Sequence, residues 1–231
     1  MSDPRDDILR SVRRALGRSG PASGQQPSPL DEWLAKRPHG VVPARARREH
    51  HELVRQFREL AEAVQTTVTE VSAIADVPDA VMDYLRRENL AARAVMAPDP
   101  ALDQAPWDGA RLLEIRRGRP DKADQIGITS AFAAVAETGT LVMLSGPEHP
   151  STLNFLPETH VVVLPEDRIV GSYEDAWDLL RQRTLALDGR LPRTVNMVTG
   201  PSRSGDIEQT IQLGAHGPRR LHIILVMDRA A

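Results

Sequence analysis

The chain contains no cysteine among its 231 residues. This absence excludes disulfide bonds, thiolate zinc sites, cysteine nucleophiles and iron–sulfur ligation by the chain itself. Aromatic residues make up only 3% of the sequence, and the formal net charge is -3. Because a nucleic-acid-binding protein normally has a basic surplus and aromatic stacking platforms, nucleic acid is not an expected partner.

Long hydrophobic runs are also missing. No run approaches the length of a membrane-spanning helix, and the first residues lack the apolar segment of a signal peptide. We therefore expect a cytoplasmic protein without a membrane span. The apolar content of 41% nevertheless predicts a packed globular domain.

The N-terminal residues predict a helical arm followed by a linker. Apolar residues in 3–17 follow helical spacing, and the other side of that helix is rich in arginine. We assign residues 1–18 to the arm, 19–43 to a linker rich in Gly, Pro and Ser, and 44–231 to an α/β domain. The basic arm is expected to pack on its own domain, on a second copy of the chain or on another protein, since its apolar side is short for membrane binding.

The main domain alternates apolar runs with amphipathic segments, which is typical of an α/β fold with a mostly parallel sheet covered on both faces. Strands are predicted at 66–71, 92–97, 111–117, 160–165, 194–198 and 221–227, with two more on either side of Gly139. Helices are predicted at 44–64, 77–89 and 173–185, and a short one is predicted over DIEQTIQLG at 206–214. The first of these helices contains His50 and His51, but adjacent helical residues point about 100° apart, so no metal site is predicted.

The segment AVAETGTLVML places an acid, Glu137, where a buried strand begins. Such an acid can be a general base, a nucleophile or a clamp on a ligand hydroxyl. It can equally accept hydrogen bonds from the backbone N–H groups of its own turn. Thr138 and Thr140 fit both interpretations.

The segment TVNMVTGPSRSGDIEQTI predicts a strand, a loop and a helix. The helix N-terminus would favour an anion held by Gly200, Ser202 and Arg203. Asp206 and Glu208 in the first turn would repel that anion, and Asp206 can simply cap the helix. A ligand site and a well-capped turn are both open interpretations.

Two histidines complete the set of candidates. His149 lies in the polar loop 145–160 and could be a base or a ligand, but the sequence names no partner for it. His216 lies between Gly214 and Gly217 before the last strand, in a position to complete an anion pocket with Arg203.

In this order, the three motifs resemble those of the LUD-domain family, over Gln125–Val226. The matching positions are Glu137, Thr138, Gly139 and Thr140 in the first motif, Gly200, Pro201, Ser202, Arg203, Asp206, Ile207 and Glu208 in the second, and His216, Gly217 and Pro218 in the third. The pair Ser204-Gly205 departs from the family pattern, which makes a tight anion site there less secure.

The resemblance implies a three-layer α/β fold shared with sugar-phosphate isomerases and CoA transferases. It also implies membership of a three-component bacterial system that oxidises L-lactate to pyruvate, in which iron–sulfur partner subunits carry the electrons. This chain would be a non-redox accessory or ligand-binding subunit, with a small anionic ligand at the motif positions, and a homodimer is compatible with the fold. The resemblance assigns a catalytic role to none of these residues.

The alternative is a free-standing enzyme of the CoA-transferase or sugar-phosphate isomerase type. Glu137 would then be the nucleophile or base, and the loop at Ser202 and Arg203 would hold a phosphate or carboxylate. A small-ligand binding module with a regulatory use is a third interpretation.

Overall fold

The computed structural model describes residues 4–17, 32–33, 36–187, 189–207 and 210–227. Its contacts divide the chain into two units, Met1–Gly40 and Val41–Ala231. In the first unit, helix α1 spans Pro4–Ala15, as the apolar spacing predicts. Gly17 follows it with a φ of +65°, and its N–H donates to the carbonyl of Arg14. The glycine therefore ends the helix in the left-handed conformation that is common at this position.

A parallel sheet of six strands forms the centre of the second unit. Its strands are β1 (Thr67–Val71), β2 (Arg93–Met96), β3 (Glu114–Arg117), β4 (Ile126–Ser130), β7 (Thr159–Pro165) and β12 (Arg220–Val226). They lie side by side in the order β1-β12-β7-β4-β2-β3. Strands β4, β7 and β12 are buried on consecutive residues because the sheet is covered on both faces. The predicted α/β class with a mostly parallel sheet is confirmed.

A second, mixed sheet contains four shorter strands. They are β5 (Ala133–Val135), β6 (Thr140–Leu144), β8 (Ile169–Val170) and β9 (Val195–Val198). Their order is β8-β5-β6-β9, with β6 antiparallel to both of its neighbours. The turn at 136–139 joins β5 to β6, so the two apolar segments predicted around Gly139 form a hairpin.

Helices pack against both sheets. They are α2 (His50–Ala63), α3 (Val77–Arg87) and α4 (Tyr173–Leu187). Val81 of α3 shares a buried cluster with Ile128 on one face of the large sheet. Phe57 of α2 shares another with Val162 and with Leu141 of the mixed sheet, so α2 and the mixed sheet cover the opposite face. Helix α4 covers the outer face of the mixed sheet. Among the described residues, no helix is long and apolar enough to cross a membrane.

The chain after β9 differs from the prediction. The residues predicted to form a short helix instead form an antiparallel hairpin, with β10 at Arg203–Ile207 and β11 at Thr210–Leu213. The β-branched residues Ile207, Thr210 and Ile211 favour strands, and this preference outweighs the helical spacing of the two isoleucines.

The hairpin changes the role predicted for its acids. Asp206 lies within β10 and is therefore not a helix N-cap. The helix N-terminus that was expected to attract an anion does not form within 203–207 or 210–213. Glu208 and Gln209 lie outside the described residues.

Candidate functional site

The acid–glycine turn between β5 and β6 is docked on helix α2. Gly139 has a φ of +66°, and a Cβ atom built on it would lie 2.7 Å from the backbone nitrogen of Ala61. The same atom would lie 2.8 Å from the carbonyl carbon of Leu60. Glycine is required here both for its left-handed conformation and for the close approach of two backbones.

The carboxylate of Glu137 has partners outside its own turn. Its Oε1 accepts a hydrogen bond from the backbone N–H of Tyr173 at 3.3 Å, and its Oε2 lies 3.5 Å from Nη2 of Arg45. Its side chain is only 8% exposed. Tyr173 is the first residue of α4, where the helix dipole favours a negative charge. The contacts describe a clamp that joins the turn to α4 and to Arg45, while a catalytic role of Glu137 stays a prediction.

The threonines of the same turn belong to a network of hydroxyl groups. Oγ1 of Thr140 lies 2.7 Å from Oγ1 of Thr138 and 3.0 Å from the hydroxyl of Tyr173. It also lies 2.7 Å from Oγ1 of Thr199, the residue that opens the second motif. Because Thr140 is fully buried, these hydrogen bonds fix the first motif against the second.

A cleft of about 280 Å³ brings the second and third motifs together, and we call it the motif cleft. Its lining includes the predicted residues Gly200, Ser202, Arg203, His216 and Gly217. It also includes Thr199 and His160, whereas Glu137, Thr138, Gly139 and Thr140 are not among its lining residues. The first motif therefore supports the cleft through the Thr140–Thr199 hydrogen bond.

The motif cleft lies at the amino ends of β7 and β12, next to the carboxyl end of β9. The prediction placed the ligand in the loop between a strand and a helix N-terminus. The loop does follow a strand, but the helix was wrong, because β9 belongs to the mixed sheet, is antiparallel to β6 and leads into a hairpin.

Ser202 joins the second motif to the third. Its backbone N–H donates to the carbonyl of Pro218 at 2.8 Å, and its carbonyl accepts from the N–H of Gly214 at 2.9 Å. Its Oγ accepts from the N–H of His216 at 3.4 Å. A Cβ atom on Gly217 would lie 3.3 Å from Cβ of Ser202. The loop before β12 is thus held against the loop after β9 by backbone contacts.

Arg203 has a structural partner in this cleft. Its Nη2 donates to the carbonyl of Val64, the C-cap residue just after α2, at 2.7 Å. Gly200, with a φ of +80°, lets the loop approach, since a Cβ atom there would lie 2.7 Å from the same carbonyl oxygen. A cation bonded to the last carbonyl groups of a helix is favourable. The guanidinium has five N–H donors, so this bond leaves it able to contact an anion as well.

Replacing Arg203 with alanine is expected to lower the free energy of unfolding by about 0.5–1 kcal/mol, because α2 loses a cationic hydrogen bond at its C-terminus. Urea unfolding of the two proteins measures the difference. Arg219→Ala is the control, since Arg219 is an exposed arginine in the neighbouring loop. Equal midpoints for both variants and the wild type would mean that the bond to Val64 adds no stability.

His160 is the most buried polar residue that lines the motif cleft. It is 0% exposed, and its Nε2 lies 2.8 Å from Oγ1 of Thr129. Its Nδ1 is buried without a hydrogen-bond partner among the described residues. Burial lowers the pKa of His160 from 6.5 to about 3, so the ring is neutral at pH 7. The ring can offer a ligand a hydrogen bond at Nδ1 but not a charge.

Residues 54–226 match the family model described as LUD domain. The chain belongs to the LUD domain family. The matched range contains the three motifs and His160, so the motif cleft is built within the LUD domain. Arg45, the ion-pair partner of Glu137, lies before the matched range.

Two similar proteins align with nearly the whole chain. A protein named Lactate utilization protein C from Exiguobacterium sp. is 31% identical over 97% of this chain and 96% of its own length. One of the same name from Halalkalibacterium halodurans is 30% identical over 99% of this chain and 100% of its own length. The crystal structure of a DUF162 family protein from Deinococcus radiodurans is similar with a TM-score of 0.58 and 25% identity, covering 78% of this chain and 99% of that one.

Two features of this LUD domain were missed from the sequence. His160 was predicted only as part of a buried strand, although a histidine within the apolar run HVVVLP was the available signal. The partner of His149 was also missed: Oδ2 of Asp99 lies 3.6 Å from its Nδ1. Asp99 follows the buried strand β2, and an acid just after such a strand is a recognisable pattern.

Proposed function

We propose that this chain is a non-redox component of a bacterial three-protein system that oxidises L-lactate to pyruvate in the cytoplasm. Two relatives named Lactate utilization protein C align along almost its full length, which supports a role in lactate utilisation. The sequence contains no cysteine, so thiolate-bound iron–sulfur clusters would belong to partner subunits. A division of labour follows, in which this chain binds a small molecule or a partner and other subunits transfer electrons.

The observation on which the proposed ligand site depends is His160, which lines the motif cleft and whose buried Nδ1 has no hydrogen-bond partner among the described residues. A buried polar atom without a partner is costly, and a bound ligand would satisfy it. Arg203 lines the same cleft and adds a cation. The combination suits a small anionic ligand that also has a hydroxyl or carbonyl group.

The alternative, a free-standing enzyme that uses Glu137, has weaker support from the geometry. The carboxylate is nearly buried and contacts Tyr173 and Arg45. It lies outside the lining of the motif cleft, where the Ser202–Arg203 loop would hold the substrate. A nucleophile needs to reach the bound substrate.

Helix α1 is the proposed contact for a partner subunit. Within α1 and the residue after it, Ile8, Val12 and Leu16 are exposed, and the last turn of α1 contains Arg13 and Arg14. An apolar stripe beside basic residues suits a partner surface with apolar and acidic residues.

The proposal is tested in the native host, in a strain that lacks the gene and is supplied with a tagged copy. The tagged chain, purified without oxygen from cells grown on L-lactate, is expected to bring down coloured partners that reduce a dye when L-lactate is added. We expect His160→Gln to abolish growth on L-lactate, because the ligand of the motif cleft loses its buried contact.

His222→Gln is the matched control for this experiment. His222 is equally buried, its Nδ1 lies 2.8 Å from Oγ1 of Thr67, and its Nε2 also lacks a partner among the described residues. It does not line the motif cleft. Normal growth of the deletion strain on L-lactate, or a colourless chain purified alone, would reject the proposed complex. Equal growth defects in the two variants would reject the proposed ligand site.

A further inference from the structure

A second cavity, of about 240 Å³, lies at the opposite edge of the large sheet, and we call it the carboxyl-edge cavity. Its polar lining consists of Asp99, Ser130, Glu148, His149, Arg168 and Arg183. It shares Ser130 and Arg168 with a wider crevice of about 550 Å³. Asp99 follows β2 and Ser130 ends β4, so the cavity lies at the carboxyl ends of parallel strands. Open α/β sheets bind their ligands most often at this edge.

Asp99 is a buried carboxylate with fixed neighbours. It is 4% exposed, and its Oδ1 accepts a hydrogen bond from the N–H of Ala101 at 2.9 Å. Its Oδ2 accepts from the hydroxyl of Ser130 and lies 3.6 Å from Nδ1 of His149. A carboxylate beside Nδ1 favours the tautomer with its proton on that nitrogen, which leaves Nε2 as an acceptor.

His149 is held on a rigid turn. Its backbone N–H donates to the carbonyl of Gly146, and the N–H of Gly146 donates back to its carbonyl, each at 3.2 Å. Its side chain is 21% exposed, so the ring is reachable from the cavity. The turn and Asp99 together orient the imidazole before any ligand arrives, which reduces the entropic cost of binding.

Two arginines line the same cavity. Arg168 donates one hydrogen bond, from Nη1 to the carbonyl of Ala131, at 2.8 Å. The guanidinium of Arg183 lies 5.5 Å from the ring centre of Phe132, which holds it over the aromatic face. With Asp99 and Glu148 also in the lining, the arginine and carboxylate charges balance, and a ligand with a single negative charge is favoured over a polyanion.

We infer that the carboxyl-edge cavity binds a small 2-hydroxycarboxylate. The ligand carboxylate pairs with Arg168 and Arg183, whose forked donors match its geometry. The ligand hydroxyl donates to Nε2 of His149, which Asp99 orients. Among the described residues, no group of three acidic, histidine or cysteine side chains is arranged to hold a metal ion. The ligand class is argued from the two arginines and from His149, and the choice of L-lactate as the first probe rests on the proposed function.

The test is calorimetric titration of the purified full chain with L-lactate and glycolate, which have the hydroxyl, and with propionate, which lacks it. Both hydroxy acids are expected to bind at least about tenfold more tightly than propionate, because the hydrogen bond to His149 is lost. Arg183→Ala and His149→Gln are each expected to weaken the binding of the hydroxy acids by about tenfold. Arg181→Ala is the matched control on the same helix, since Arg181 pairs with Asp178 and does not line the cavity.

Both substituted side chains are at least partly exposed, so these variants are expected to fold, and thermal melting checks this. If glycolate binds and L-lactate does not, the result supports a 2-hydroxycarboxylate site in the cavity and counts against lactate as its ligand. The inference is overturned if neither hydroxy acid binds at tens of millimolar, or if binding is unchanged in Arg183→Ala and His149→Gln. If His160→Gln is the variant that loses binding and the two cavity variants do not, the ligand lies in the motif cleft and the inference is overturned. This conclusion does not depend on the result of the growth experiment.

Discussion

Acidification from pH 6.5 to pH 4.5 is expected to lower the free energy of unfolding by about 5 kcal/mol, while stability changes little above pH 7. Burial lowers the pKa values of His160 and His222 from 6.5 to about 3, and Arg87 adds to the effect at His222. Between these values the unfolded chain binds two protons that the folded chain does not, so stability falls with pH. Each histidine contributes about 1.4 kcal/mol per pH unit. The loss is a large part of the roughly 5–15 kcal/mol that stabilises a typical domain.

Urea unfolding at pH 7, 6 and 5 measures this slope. His222→Gln is expected to remove about half of it, since one of the two protons no longer binds on unfolding. His51→Gln should leave it unchanged, because His51 is exposed on α2. A slope that is the same in the wild type and in both variants would show that the buried histidines are not its source.

Gly139→Ala is expected to destabilise the domain by about 2–4 kcal/mol. The left-handed backbone at φ +66° costs an alanine about 1 kcal/mol. The remaining loss of stability arises because the new Cβ would lie 2.7 Å from the backbone nitrogen of Ala61. Overpacking against backbone atoms, which cannot move by a side-chain rotation, costs about 1–3 kcal/mol. The turn must then move off α2 and take the Thr140 hydroxyl network with it.

Gly189→Ala separates the two causes. Gly189 has a φ of +73°, and apart from its chain neighbours no atom of the described residues lies within 4 Å of the Cβ position. This variant therefore carries only the conformational cost, about 1 kcal/mol. Unfolding midpoints of both variants in urea give the comparison. Equal losses at the two positions would mean that contact with α2 is unimportant at Gly139.

The sequence was sufficient to predict the parallel sheet, but it did not predict the hairpin of β10 and β11. The consecutive apolar residues of β7 and β12 could be recognised because burial on both faces leaves no other pattern. At 206–214, helical spacing and β-branched residues gave opposite indications, and the strand that formed is also held by loop contacts such as that of Gly214 to Ser202. Such contacts join distant residues and cannot be read from local patterns.

In the candidate sites, too, some features could be predicted from the sequence and others could not. The motif residues Ser202 and His216 could be named because glycines and polar residues cluster near them in the sequence. The pairing of Asp99 with His149 could not be predicted, since 50 residues separate them and only the packing of the segments after β2 and β6 brings them together. The same holds for Glu137 and the N–H of Tyr173, which are 36 residues apart.

The two ends of strand β7 lie at two separate cavities. Its residue His160 lines the motif cleft, and its last residue, Pro165, lines the crevice beside the carboxyl-edge cavity. Five residue steps along a strand span about 16 Å, so small molecules at the two ends do not touch or compete for space. A single chain can then hold one small molecule at each end of β7 at the same time, and each occupant adds its own binding free energy to the folded state.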